Sequence, residues 1–283
     1  MMITKIGVIG CGTMGAGIAW AAAQHGYETV MLDIDMDRVN VGFKNLQDFS
    51  AKSVAKGKMT EETRQEIFGR IKGTADYDDM KGCQLVIEAA AENLAVKKAI
   101  FGKLEELLDD DAILASNTST LPITKISADM RCPERAVGMH FFNPPQIMKL
   151  VEIISSEKTE VSVRDMAAEF VKSLGKTPIQ AKDNPGFIVN YLQLPYRLNA
   201  IRMVQNGMAT PEDIDTAAKL ALGHPMGPLE LQDLVGLDIT YSACQAIFEA
   251  TGEPWFEPPQ LMKQMLEEGR LGRKTGRGFY EYE

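Results

Sequence analysis

Two residues of one stretch have the types and the spacing needed for proton transfer. His140 ends a short apolar run, and Glu152 lies in a second apolar run beyond an Asn-Pro-Pro turn. Alternate residues of a strand share a face, so Glu152 is a lone carboxylate between Leu150 and Ile154 and needs a partner. A carboxylate stabilises a protonated imidazole and fixes which of its nitrogens carries the proton. The pair therefore predicts a general acid and base, and the alternative is a core histidine held by a structural carboxylate.

A glycine-rich turn near the start of the chain predicts a dinucleotide-binding site. It follows a β-branched run, residues 3–9, and precedes an alanine-rich helix and a second strand, residues 28–32. In that context the glycines permit a tight turn and a close approach to a pyrophosphate, and the helix N-terminus attracts the phosphates. An acid follows the second strand, 18 residues beyond the last glycine, near the distance expected of a ribose-binding acid. The predicted cofactor ligands of this region are Gly10, Gly12, Thr13, Met14, Gly15 and Asp33.

Two side chains after the second strand bear on the choice between NAD and NADP. A carboxylate at Asp33 accepts a hydrogen bond from a ribose 2′-hydroxyl and repels a 2′-phosphate, which favours NAD. Arg38 is a nearby cation of the kind that accommodates such a phosphate, so binding of NADP stays open.

A run of polar residues, Ser-Asn-Thr-Ser-Thr at positions 116–120, follows a further buried strand. Open parallel sheets bind ligands at the carboxyl ends of their strands. Asn117 and Ser119 are therefore candidates for contacts with a cofactor or a substrate. For Ser119 and Thr120 the alternative is that they cap the helix predicted to start near Pro122.

Three lysines surround a glycine within a long polar region, residues 36–72, that we predict to be helical. Lys52 and Lys56 are four residues apart and share one helix face, and Lys58 follows Gly57. In an acidic chain such a cluster is a candidate site for the phosphates of a ligand. The alternative is a solvated helical face.

These candidates need a framework of strands and helices to bring them together. The alternation of buried strands and helices predicts an α/β domain with a Rossmann-like, doubly wound sheet. After the Asp-Asn-Pro-Gly turn at positions 183–186 the periodicity becomes helical, so we expect an NAD-binding domain over residues 1–184 and an all-α domain over residues 185–283. The first helix of that second domain, from about Phe187, places Asn190 in its first turn. There it bonds the local backbone or reaches into a cleft between the domains.

Composition argues against several classes of partner and site. The 283 residues carry a net charge of -9, and the pI is about 5.0, which argues against a nucleic acid as a partner. The four cysteines are scattered, so we expect a reducing cytoplasm and neither a zinc site nor a disulfide framework. We also expect no signal peptide before the first strand and no membrane span, because no apolar run is long enough to cross a bilayer.

Eight segments distributed along the whole chain carry one resemblance. They are GCGTMG from Gly10, LVIEAAAEN from Leu85, ASNTS from Ala115, HFFNPP from His140, MKLVE from Met148, NPGFIVN from Asn184, GHPMGP from Gly223 and GRKTGRGFY from Gly272. Together they closely resemble the L-3-hydroxyacyl-CoA dehydrogenase family, in particular its stand-alone bacterial 3-hydroxybutyryl-CoA dehydrogenase type. The resemblance implies a Rossmann-like domain, a helical dimerisation domain and a cleft between them.

The resemblance also implies the roles of four residues in the chemistry. His140 corresponds to the acid and base of the family, and Glu152 corresponds to its partner. Ser119 and Asn190 correspond to residues that bond the reacting oxygen and position the histidine and the substrate.

Four further residues are assigned by the resemblance to the binding of cofactor and substrate. Glu92 and Lys97 correspond to residues that lie by the cofactor. Lys52 and Lys56 correspond to lysines that bind the coenzyme A end of the substrate. The expected partners are therefore an acyl-CoA and a second copy of the chain, as a homodimer or a higher homo-oligomer.

The chain departs from the family pattern at three positions. Tyr191 replaces a common arginine, Asn199 replaces a common acid, and Thr120 replaces a usual serine. The first two bear on substrate preference or dimer contacts and not on the catalytic pair.

The expected activity is reversible hydride transfer between C3 of a 3-hydroxyacyl-CoA and NAD, without a metal. One rival is a related dehydrogenase of the same fold that acts on a free hydroxy acid or a sugar acid, and the lysines argue against it. The other rival is a non-catalytic NAD-binding or structural relative. The presence of His140, Glu152, Ser119 and Asn190 together argues against that one.

Overall fold

A computed structural model describes residues 2–282 and shows two compact units. The first unit ends at Asn184 and the second begins at Pro185. Each unit has a hydrophobic core of its own. Within the described residues, none of the helices combines the length and the apolar character needed to cross a membrane.

The first unit contains one eight-stranded sheet with the strand order β3-β2-β1-β4-β5-β6-β7-β8. The first six strands of the chain run parallel in the 3-2-1-4-5-6 order of a Rossmann fold. β7 is antiparallel to β6, and β8 is parallel to β7. The strands are β1 (Lys5–Ile9), β2 (Glu28–Leu32), β3 (Ile71–Thr74), β4 (Leu85–Glu88), β5 (Ile113–Ser116), β6 (Ala136–Phe141), β7 (Leu150–Ser155) and β8 (Thr177–Lys182).

The strands of this unit are connected mainly by helices. They are α1 (Thr13–Gln24), α2 (Met36–Ala55), α3 (Glu61–Gly69), α4 (Leu94–Leu107), α5 (Ile123–Ile126) and α6 (Val161–Ser173). The buried strands carry mainly apolar side chains, as expected of a sheet that is covered on both faces.

The region predicted to be helical over residues 36–72 contains two helices and the beginning of a strand, so that prediction is partly wrong. The chain turns at Gly57, whose φ of 65° ends the first helix, and the hydroxyl of Thr60 caps the second. Ile71–Thr74 then pairs with β2 as the edge strand β3. Four residues that include a glycine carry little strand signal of their own, so pairing with the sheet decides their conformation.

The direction of β7 decides where its first residues lie. Ligands bind at the carboxyl ends of the strands of such a sheet, and the ends of β1, β4, β5 and β6 form one edge. Because β7 runs in the opposite direction, its beginning and not its end lies at that edge. Glu152 thereby reaches the same edge as His140.

The second unit is helical, which confirms the predicted fold class together with the sheet of the first. Its helices are α7 (Val189–Gln205), α8 (Pro211–Ala221), α9 (Pro228–Val235), α10 (Leu237–Thr251) and α11 (Gln260–Glu267). Gly236, with a φ of 103°, separates α9 from α10, because only glycine adopts that conformation without strain.

Candidate active site

The side chains of His140 and Glu152 meet across the two antiparallel strands. These residues are direct partners in the β6–β7 ladder, so their side chains point to the same face of the sheet. Nδ1 of His140 lies 2.7 Å from Oε2 of Glu152. The carboxylate is fully buried, and the imidazole is 5% exposed. A carboxylate in this place fixes the proton on Nδ1 and turns Nε2 toward other partners.

Ser119 lies beside that second nitrogen. The loop after β5 places Oγ of Ser119 3.2 Å from Nε2 of His140. The ring of Phe142 packs against the imidazole with 4.6 Å between the centroids. The carboxylate of Glu152, the imidazole of His140 and the hydroxyl of Ser119 therefore form a hydrogen-bonded chain that leads from the buried sheet to the loop. In such a chain the imidazole can take a proton from a hydroxyl group, or return one, at Nε2.

One carboxylate holds the loop that carries Ser119. Glu92 accepts hydrogen bonds from the hydroxyl of Thr118 and from the backbone N–H groups of Ser119 and Thr120, at 2.6–3.0 Å. The ammonium of Lys97 lies 3.2 Å from the same carboxylate. Partial burial acts to raise the pKa of Glu92, but the charge of Lys97 and the hydrogen bonds outweigh it and lower the pKa. The loop is therefore anchored to an ionised group at neutral pH.

The glycine-rich turn has the shape that a dinucleotide needs. Gly10 has a φ of 97°, and a Cβ on it would lie 2.6 Å from the carbonyl oxygen of Ala89. A Cβ on Gly15 would lie 1.8 Å from the carbonyl oxygen of Gly10, so only glycine lets α1 approach β1 here. A Cβ on Gly12 would meet no atom within 4 Å. The backbone at Gly12, directly before the first turn of α1, is therefore open, which fits a close approach of the pyrophosphate of NAD.

Asp33 is fixed at the end of β2 in a way that suits a ribose. Its Oδ2 accepts a hydrogen bond from the backbone N–H of Cys11, and its Oδ1 accepts one from that of Ile34, both at 2.7 Å. The nearby Arg38 lies 4.0 Å from the carboxylate of Asp35, which also caps α2. Arg38, the cation that would favour a 2′-phosphate, therefore lies close to Asp35, a second acid besides Asp33. This arrangement fits NAD.

Comparison with known proteins places the chain among enzymes. Residues 5–184 match the model of the 3-hydroxyacyl-CoA dehydrogenase NAD binding domain, and residues 186–282 match the model of the C-terminal domain of that same dehydrogenase. The chain belongs to the 3-hydroxyacyl-CoA dehydrogenase family. The predicted family, the NAD cofactor and the oxidoreductase class are thereby confirmed.

Members of the 3-hydroxyacyl-CoA dehydrogenase family are similar to this chain over its whole length. A 3-hydroxybutyryl-CoA dehydrogenase from Mycobacterium tuberculosis is 43% identical over 282 residues, which are 99% of each chain. The crystal structure of M. tuberculosis FadB2 is 42% identical with a TM-score of 0.98 and covers 100% of both chains. The crystal structure of (S)-3-hydroxybutyryl-CoA dehydrogenase PaaH1 from Ralstonia eutropha is 40% identical with a TM-score of 0.96 and the same coverage.

The predicted phosphate-binding lysines of this dehydrogenase lie at the end of α2. Lys52 is in its last turn, Lys56 follows as the C-cap, and both are exposed. Lys52 lines a cavity of about 330 Å³ together with Thr13 of the glycine-rich turn and Gln146 of the loop between β6 and β7. Lys56 is not part of this lining, so the two lysines are not equivalent.

Two asparagines predicted to be functional are placed differently. The side chain of Asn117 makes a hydrogen bond within the first unit: its Oδ1 accepts from the backbone N–H of Phe141 at 2.8 Å. It thereby ties the ends of β5 and β6 together, and a contact with the cofactor stays a prediction. Asn190 lies in the first turn of α7, as predicted, although that helix begins at Val189 and not at Phe187. Its Oδ1 accepts a hydrogen bond from Gln193 at 3.0 Å. Its role at the reacting oxygen likewise stays a prediction.

Tyr191 and Asn199, two of the residues that depart from the family pattern, also lie in the second unit. The hydroxyl of Tyr191 donates to Glu253 at 2.5 Å. Asn199 lines a mainly apolar groove between α7 and α8.

The capping alternative for Ser119 and Thr120 is wrong. The N-terminus of α5 is bound by a distant residue, Asp183, whose carboxylate accepts the N–H groups of Ile123 and Thr124 at 2.8 Å and 2.7 Å. The sequence marks Asp183 only as part of a turn. Its capping role depends on a contact across 60 positions, which no local pattern reveals.

Sequence reasoning missed Glu88, a fully buried carboxylate at the end of β4. It accepts hydrogen bonds from the hydroxyl of Ser116 at 2.6 Å, from Lys97 at 2.8 Å and 3.0 Å, and from the backbone N–H of Ala90 at 2.7 Å. Lys97 therefore bridges Glu88 and Glu92. A signal was present, because an acid that ends an apolar strand requires a partner as much as Glu152 does.

Proposed function

We propose that the protein catalyses the reversible, NAD(H)-dependent oxidation of a (S)-3-hydroxyacyl-CoA, with 3-hydroxybutyryl-CoA as the substrate, to the 3-ketoacyl-CoA. The hydrogen-bonded chain of Glu152, His140 and Ser119 at the carboxyl edge of the sheet carries the proposal. It lies at the same edge as the glycine-rich turn that fits NAD. The names of the similar proteins from M. tuberculosis and R. eutropha support the choice of substrate.

The residues of the chain account for the proton in this reaction. When bound, NAD supplies the acceptor for the hydride from C3 of the substrate. In oxidation, Nε2 of His140 takes the hydroxyl proton, and in reduction it returns one. Glu152 stabilises the resulting imidazolium through Nδ1, and Ser119 bonds the oxygen. Asn190 keeps the role at the oxygen that the resemblance assigns to it. Positioned proton transfer of this kind typically contributes ~10²–10⁴-fold to the rate.

The coenzyme A end is assigned to the cavity next to α2. Asp48 also lines it, but the ammonium of Lys44 lies 2.9 Å from that carboxylate and compensates its charge. Lys52 then supplies positive charge for the phosphates, with Lys56 as a more distant contribution. A free hydroxy acid would have no group to reach these lysines, which disfavours that rival.

We assign the cofactor to residues 1–184, with Glu92, Lys97 and Asn117 as further ligands. Residues 185–283 are assigned to substrate binding through Asn190 and to assembly as a homodimer or higher homo-oligomer. A reducing cytoplasm is the proposed location, and the free state of all four cysteines, Cys11, Cys83, Cys132 and Cys244, supports it.

A spectrophotometric assay of NADH oxidation with acetoacetyl-CoA tests the proposal. We expect turnover with acetoacetyl-CoA and little or none with free acetoacetate at the same concentration. Comparable activity with free acetoacetate would favour the hydroxy-acid rival. NADH binding without turnover of either compound would favour the non-catalytic rival.

A further inference from the structure

A buried lysine holds the turn that connects the two strands of the catalytic pair. Lys176 directly precedes β8 and is 9% exposed. Its Nζ donates hydrogen bonds to the carbonyl oxygens of Pro145 and Met148, both at 2.7 Å. A buried ammonium is costly unless its donors are satisfied, and here two of its three donors end on one turn. Burial also lowers the pKa of this ammonium.

The turn itself is compact. The backbone N–H groups of Ile147 and Met148 both donate to the carbonyl oxygen of Pro144 at 3.0 Å. The carbonyl groups of Pro145 and Met148 are left for Lys176. One side chain therefore satisfies both and sets the separation between the two ends of the turn.

The same turn rests on the backbone of α1. A Cβ on Gly17 would lie 2.8 Å from Oε1 of Gln146 and 2.9 Å from Cδ of Pro145. Glycine at this position therefore lets the turn sit directly on the helix. Any side chain here would push the turn away.

Pro144 and Gln146 of this turn line the cavity that also contains Lys52. We propose that Lys176 is a positioning residue for the acyl-CoA substrate, which acts through the Pro144–Met148 turn and touches neither the substrate nor the cofactor. The proposal rests on the proposed function, because it takes the cavity beside Lys52 as the coenzyme A site. It predicts that loosening the turn weakens substrate binding more than it affects NADH.

The test is Lys176→Met, which keeps an unbranched side chain only one atom shorter and removes the donors of the ammonium. We expect the KM for acetoacetyl-CoA to rise by about tenfold, while kcat changes only a few-fold, the pattern of lost binding. The Kd for NADH should stay unchanged. The matched control is Lys172→Met on α6, whose exposed ammonium pairs with Glu169 at 2.7 Å. It should leave all three constants unchanged.

A second variant approaches the turn from α1. Gly17→Ala leaves Lys176 in place and displaces Gln146 and Pro145, so it too should raise the KM for acetoacetyl-CoA. If Lys176→Met fails to fold, this variant still tests the turn through which Lys176 is proposed to act. An unchanged KM in Gly17→Ala, or in a folded Lys176→Met, would overturn the proposal.

Hydrogen–deuterium exchange separates this proposal from the proposed function. In Lys176→Met we expect faster exchange in the peptide that contains Ile147 and Met148, and unchanged exchange in α6. Unchanged exchange in that peptide would refute the role of Lys176 even in an active enzyme. Lack of turnover in the unmodified protein would refute the proposed function instead, whatever the exchange shows.

Discussion

His140 and Glu152 are direct partners in the antiparallel ladder of β6 and β7, and their side chains are joined at 2.7 Å. In a strand, a shift of register by one residue would turn Glu152 to the opposite face. The hydrogen bonds of the sheet therefore fix the geometry of this pair. A pair held by regular structure is better preorganised than one held by flexible loops.

The first prediction concerns Asp33 and the cofactor. We expect the unmodified enzyme to show a higher kcat/KM with NADH than with NADPH, because this carboxylate binds a ribose hydroxyl and repels a 2′-phosphate. Asp33→Asn keeps the shape of the side chain and removes its charge, so it should reduce the difference in kcat/KM between NADH and NADPH. Steady-state kinetics with both cofactors measures this. A preference for NADPH in the unmodified enzyme would contradict the prediction and point to Arg38.

The second prediction concerns Lys52. Lys52→Ala should raise the KM for acetoacetyl-CoA and leave kcat nearly unchanged, because the lysine binds a part of the substrate that does not react. The effect should be larger than that of Lys56→Ala, since only Lys52 lines the cavity. It should also shrink as salt is added, because exposed charges are screened.

The control for this lysine is Lys158→Ala. Lys158 is exposed and follows the end of β7, and so lies away from the edge that carries His140. This variant should leave the KM unchanged at every salt concentration. An equal rise of the KM in Lys158→Ala and Lys52→Ala would contradict the prediction and favour the alternative that Lys52 is part of a solvated helical face without a binding role.

Much of the site was predictable because its signals are local. The strand, turn and helix around Gly10 and the alternation around Glu152 both lie within a few neighbouring residues, and each pattern has a defined physical meaning. The antiparallel direction of β7 was not predictable in this way. It depends on how the chain turns after Phe141 and on which neighbour accepts β7 in the sheet.

The features that were missed depend on contacts between distant parts of the chain. Asp183 caps α5, Lys176 satisfies a turn, and Ile71–Thr74 becomes a strand only because β2 lies beside it. Glu88 is the exception. Its place at the end of an apolar strand was visible, and the requirement for a partner should have directed attention to Lys97.

The third prediction concerns Glu92 and acid. Its pKa in the folded state is lowered, so its ionised form stabilises the folded protein above the unfolded pKa of about 4.3. This contribution is lost as the pH falls through the lower, folded value. Glu92→Gln should therefore melt at a lower temperature than the unmodified protein at about pH 7, and the difference should shrink toward about pH 3.

Thermal melts of the two proteins over this range provide the measurement. Glu106→Gln, a change at an exposed acid on α4, is the control and should melt like the unmodified protein. A difference between Glu92→Gln and the unmodified protein that stays constant with pH would show that the ionisation of Glu92 does not stabilise the fold.

The last prediction is that His140 and Glu152 act as one unit. His140→Gln removes the group that carries the proton, and Glu152→Gln keeps the shape but removes the charge that stabilises the imidazolium. Each change should lower kcat by roughly two or more orders of magnitude, the scale of general acid and base catalysis. The double variant should be little worse than His140→Gln, because groups that act as one device are strongly non-additive.

A core histidine held by a structural carboxylate would give a different pattern in the same three variants. The proteins would be destabilised, and the remaining activity would follow the folded fraction. The measurement is therefore kcat on samples that thermal melts and NADH titration show to be folded. NADH affinity should survive in all three, because the turn from Gly10 to Gly15 is unchanged. A folded His140→Gln variant that binds NADH and retains a near-native kcat would exclude His140 as the acid and base.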